Sequence, residues 1–176
     1  MSNPNGETKL LAGHPNKVGE IVSGVESKIN GTYAKLGIPA YSVAEEDIRY
    51  YLTLDIKNTK LSSIEWSEGA ASIAQMNFYL QLEVNKREAL LGVLNSRIKK
   101  CIAPNLGQHK AWAWEEKQLA GIAYDSFATE LDNKRREVQA EYDALRFITA
   151  RLKELGDKFT EMQRATRNTL DNHIAN

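Results

Sequence analysis

The sequence holds one cysteine, four prolines and no net charge, and it lacks any apolar stretch near the roughly 20 residues that a bilayer-spanning helix needs. Each scarcity excludes something. A lone thiol, Cys101, cannot close an internal disulfide, and no Cys/His cluster exists to hold a metal. A reducing, cytoplasmic setting fits best. The first residues have no apolar signal-peptide core, so neither secretion nor membrane insertion is expected. The 23 basic and 23 acidic side chains cancel, so net charge points to no partner and only the placement of each sign is informative.

Catalytic groups are equally scarce. His14, His109 and His173 have no Ser, Cys or Asp at motif spacing, which leaves a catalytic triad without support. Cys101 falls on an apolar stripe and reads as a small buried hydrophobe rather than a nucleophile. The N-terminal glycines form neither a dinucleotide fingerprint nor a phosphate loop. The acidic pairs Glu45-Glu46 and Glu115-Glu116 are adjacent rather than facing, as at helix starts favoured by the helix dipole. No enzyme is expected, and no cofactor or metal.

What is present is helical patterning. Hydrophobic residues make up 42% of 176, enough for one domain. Residues 1–40 carry six glycines and three of the prolines, and read as a flexible N-terminal segment with a short helix within 17–36. The helical domain spans 41–176. Ser42 with Glu45 suits a capping box for a helix over 45–52, after which Leu54-Asp55-Ile56 could be extended. Ser62 or Ser63 can cap a long helix running to about Ile102, ahead of Pro104 and Gly107. Its apolar positions are Leu80, Val84, Leu91, Leu94, Ile98 and Cys101, with Asn77 and Arg87 as gaps.

A loop over 103–112 leads to a second long helix over about 115–170. There Tyr124, Leu131, Val138, Leu145, Leu152 and Phe159 recur every seven residues. Phe127, Ile148, Leu155 and Met162 hold the companion position, where Lys134 and Glu141 intrude. Repeats of this length argue for a coiled-coil-like seam. The expected fold is all-α: two long helices as an antiparallel helical hairpin, with Gly121 and Gly156 as places for the second helix to break. Its excess length over its partner implies a homo-oligomer joined through Leu131, Val138, Leu145, Ile148, Leu152, Leu155 and Phe159.

The basic residues are unevenly placed. From Lys86 to Lys110 there are six cations (Lys86, Arg87, Arg97, Lys99, Lys100, Lys110) against one acid, Glu88. Trp112 and Trp114 follow directly. Cations that track a phosphate backbone, beside aromatic faces on which bases stack, are what sequence-tolerant single-strand binding requires. The candidate nucleic-acid contacts are therefore Arg97, Lys99, Lys100, Lys110, Trp112 and Trp114. The competing reading is a solvated helix end with both tryptophans packed in the core. Lys134-Arg135-Arg136 reads as an exposed face paired with Asp132 and Glu137.

With these features in order, the chain resembles the UvsY-type recombination mediators of phages over about residues 50 to 170. Leu54-Asp55-Ile56-Lys57-Asn58-Thr59-Lys60-Leu61 looks like that family's Leu-Asp-Ile-Asp-x-x-x-Leu opening, and Arg97-Ile98-Lys99-Lys100 is similar to its Lys-x-Arg strand-binding site. The resemblance implies a single-stranded DNA-binding mediator that helps load a RecA-like recombinase on strands coated by single-strand-binding protein, in the host cytoplasm. A helical structural or adaptor protein (a virion component, a scaffold or an inhibitor of a host protein) is the alternative class.

Overall fold

A computed structural model describes residues 17–40, 42–108 and 113–174, with side chains up to residue 169. All regular structure among them is helical: α1 (Lys17–Lys35), α2 (Glu45–Thr53), α3 (Ser63–Ile102), a 3-10 segment (Ala103–Gln108), α4 (Trp114–Tyr124) and α5 (Ser126–Ile174). The expected flexible run 1–16 lies outside the described residues.

Local chemistry sets most of the boundaries. The Ser62 hydroxyl accepts from the Glu65 backbone N–H at 3.2 Å, and the Glu65 carboxylate accepts from the Ser62 N–H at 2.7 Å. This is the reciprocal capping box that starts α3. Hydrogen bonding to the carboxylate from the Ser62 N–H, and then from its side chain, holds the Glu65 carboxyl below its ordinary pKa. The box expected at Ser42 is not formed. The N-cap of α2 is Ala44 and makes no side-chain bond, and α2 relies instead on Glu45, Glu46 and Asp47 in its first turn. Of Leu54-Asp55-Ile56, Leu54 has extended backbone and the chain turns from Ile56. The Asp55 carboxylate accepts from the Lys57 N–H at 3.1 Å and from the Asn58 amide at 2.6 Å, closing a turn that leaves Leu54, Ile56 and Leu61 against the core.

The second long helix breaks at neither glycine. Gly121 lies inside α4 and Gly156 inside α5. The break is at Asp125, whose carboxylate accepts from the Ala128 N–H at 2.9 Å and so caps α5. The Thr129 hydroxyl donates back to the Ile122 carbonyl at 2.8 Å, tying the two helices together. Because the break precedes Leu131, Tyr124 falls out of the seven-residue seam and is exposed.

The central packing is α3 against α5. Trp66 stacks edge-on to Phe159 at 4.8 Å, Ile73 approaches Gly156, and Arg87 reaches Glu141 at 2.6 Å. Residue numbers rise along one helix as they fall along the other, so the two run antiparallel. The connection between them is the 3-10 segment and α4 rather than a bare loop. Two apolar clusters fill the interface. Trp66, Ile73, Met76, Leu80, Leu152, Leu155 and Phe159 form one, and α2 with its following turn covers it through Ile48, Tyr51 and Leu52. Leu90, Leu91, Leu94, Ile98, Ile102, Ala128, Leu131 and Val138 form the other. α1 lies on this second cluster through Val18, Ile21, Val22 and Val25, at helical spacing. The expected seam is thus filled within the chain: Leu131, Val138, Leu152, Leu155 and Phe159 are buried, and Leu145 and Ile148 pack beside them.

Candidate nucleic-acid interface

The last turns of α3 present Ile98 and Ile102 to the core, and helical geometry then directs Arg97, Lys99 and Lys100 away from it. All three are exposed, and none makes an ion pair with a described residue. Lys99 and Lys100 also stand at the helix C-terminus, where the backbone dipole favours cations. The upstream cations behave differently. Lys86 pairs with Glu83 at 2.5 Å, and Arg87 pairs with Glu141 and, at 3.4 Å, with Glu26 of α1. The five described cations of the run therefore separate into two that pair with carboxylates and three, Arg97, Lys99 and Lys100, that make no ion pair with a described residue.

Lys110 and Trp112 lie outside the described residues, as does His109. Trp114 begins α4 and is 60% exposed, so the core reading does not hold for it. Of the two described tryptophans, Trp66 is the one in the core, at 1% exposure. Gly121 admits the close approach of α4, since a Cβ there would lie 3.2 Å from Cβ of Ile102. That contact sets the later part of α4 against the end of α3. Lys99 and Glu115, the residue after Trp114, line one cleft of about 490 Å³.

Sequence reasoning missed a third element at this site. Arg135 of α5 lines the same cleft as Lys99. It is fixed there by Asp132, which is only 4% exposed and accepts from Arg135 Nη2 at 2.7 Å and from Arg136 Nε at 2.9 Å. Two guanidiniums on one buried carboxylate leave the trio with net positive charge. The pairing of Asp132 with these arginines and of Lys134 with Glu137 was visible in the i, i+3 and i, i+4 spacing. Their proximity to Lys99 depends on the antiparallel register and had no local signal.

Beside this site, the Cys101 thiol is half-buried, and its pKa is raised by desolvation and by Asp125, with Arg97 acting the other way. Among the described residues no group of three His, Cys, Asp or Glu side chains could hold a metal, and no helix is long and apolar enough to cross a membrane. No protein-family model, curated protein or solved structure matches the chain.

Proposed function

We propose that this protein binds single-stranded nucleic acid across Arg97, Lys99 and Lys100, with Trp114 as a stacking platform and Lys110 and Trp112 on the adjoining run. The observation that carries the reading is the division of the cations. Those at the end of α3 are exposed and unpaired among the described residues, and Trp114, one residue before the cleft-lining Glu115, exposes its indole, whereas Lys86 and Arg87 are taken up by carboxylates. Free cations release condensed counterions from a phosphate backbone, and an exposed indole offers a face to any base. By its resemblance to the UvsY-type mediators, the chain would act in phage DNA recombination and repair, loading a RecA-like recombinase on strands covered by single-strand-binding protein in the host cytoplasm. Self-association belongs to the same proposal. With the seam filled, it draws on exposed apolar side chains such as Phe78 of α3 and Phe147 of α5.

A fluorescence titration with an unstructured oligonucleotide at several salt concentrations tests strand binding. Changing Lys99 and Lys100 to Ala weakens binding and makes the logarithmic salt slope shallower by roughly one to two units. Trp114→Ala costs about 1–3 kcal/mol of binding, leaves the slope nearly unchanged, and leaves the melting temperature close to the parent's because the side chain is exposed. A double lysine variant that binds as tightly as the parent at low salt sinks the strand-binding reading, and the adaptor reading takes its place.

A further inference from the structure

The cleft that joins Lys99 to Arg135 has more chemistry than phosphate contact requires. Its walls are apolar, from Ile98, Ile102, Leu119 and Ile122, and its polar groups are Asn95, Glu115 and Gln118 besides the Asp132–Arg135 pair. At about 490 Å³ it falls in the range of small-molecule pockets, apolar with a few placed polar groups. Asp132 is already committed to two arginines, so it has little left to offer a ligand. Glu115 is exposed and makes no ion pair with a described residue, although Lys99 lines the same cleft. A free acceptor therefore stands in an apolar-walled cleft that Lys99 also lines, with Arg97 and Lys100 on the same last turns of α3.

We infer that this cleft takes one unstacked base of the bound strand and favours bases that carry an exocyclic amino group. The inference rests on the strand-binding reading above. A strand whose phosphates follow Arg97, Lys99 and Lys100 passes the cleft, and a base turned inward meets apolar walls on its faces and polar side chains at its edge. Single-stranded recognition commonly uses bases splayed from the stack in this way. The amino group of cytosine donates to a carboxylate such as Glu115, whereas thymine presents a carbonyl oxygen at the same place and would set acceptor against acceptor. Cytosine and thymine are both pyrimidines, so comparing them isolates this group.

The test is a competition assay on the full chain with unlabelled oligo(dC) and oligo(dT) of equal length at one salt concentration. Oligo(dC) binds roughly tenfold tighter, the scale of one hydrogen bond to a charged group. Glu115→Ala removes that preference by weakening oligo(dC) alone, and circular dichroism confirms that the helices are intact. Free dCMP, which lacks the flanking phosphates, competes far more weakly than oligo(dC). Equal affinity for the two oligonucleotides, or a preference that survives Glu115→Ala, overturns the cleft assignment while strand binding stands. Displacement by dCMP at oligonucleotide concentrations overturns the strand's own base as occupant. If neither oligonucleotide binds, the strand-binding reading itself has failed and this inference with it.

Discussion

At Gly69 the ring of Phe159 lies where a side chain would start: a Cβ built there would sit 2.7 Å from Cδ1 of the ring, closer than carbon atoms pack. Phe159 is buried between Trp66 and Tyr51, with ring centroids 4.8 and 5.9 Å away, so it has little room to withdraw. Gly69→Ala should therefore destabilise the protein by about 1–3 kcal/mol, even though alanine gains about 1 kcal/mol in helix propensity. Gly92 on the same helix is exposed and meets nothing within 4 Å, so Gly92→Ala should stabilise by up to about 1 kcal/mol. Urea unfolding of the two variants checks the pair. Equal shifts of the same sign would show that propensity alone governs both sites and that the Phe159 contact is not tight.

Between elements, the informative pair is Arg87 with Glu141. Each is one of two polar gaps in its own apolar seam, and the structure places them opposite one another at 2.6 Å, with Glu26 of α1 also in reach of Arg87. A charge in a seam costs stability unless it is matched, so the pair fixes the register of α3 against α5. Arg87→Leu alone should cost up to about 1 kcal/mol, because Glu141 loses its partner but stays half-exposed to water. Changing both to Leu should recover most of that loss, measured as coupling in a double-mutant cycle. Additive losses in the cycle would show that the two side chains do not act as a pair. Both gaps were legible in the sequence, and so was α3 down to its Ser62 cap, because heptads and caps are local signals. Their pairing was not legible, since register is a property of two distant segments. The break at Asp125 was hidden for a related reason. A single N-cap aspartate interrupts a pattern that otherwise continues on both sides, and glycine is the more conspicuous breaker. Half of the candidate site was legible in the same way: Arg97, Lys99, Lys100 and Trp114 stand close in sequence, whereas Arg135 arrives by way of the antiparallel register.

Across the whole molecule, the two apolar clusters occupy opposite ends of the α3–α5 pair, and the candidate binding surface is built on the end that α1 covers. α1 runs along that end, its Lys17 ammonium 5.9 Å from the Phe127 ring and its Tyr33 hydroxyl donating to the Leu82 carbonyl at 3.4 Å. None of its residues is buried, and its one ion pair with the described rest of the fold, Glu26–Arg87, is long at 3.4 Å and half-exposed. α3, by contrast, buries Leu90, Leu94, Ile98 and Ile102 in succession, and those side chains meet water only when α5 separates. Local stability follows buried apolar contact, so α1 should open well before α3 and α5 come apart. Native-state hydrogen exchange should then show α1 amides reaching full deuteration while the 90–102 stretch of α3 remains protected, with exchange in α1 speeding up as added salt screens the Glu26–Arg87 pair. Arg97, Lys99 and Lys100 sit on the protected helix, so their spacing persists when α1 opens, and strand affinity should track ionic strength through phosphate contacts rather than through α1. If α1 amides are protected as long as those of residues 90–102, the chain opens as one cooperative unit and this ranking is wrong.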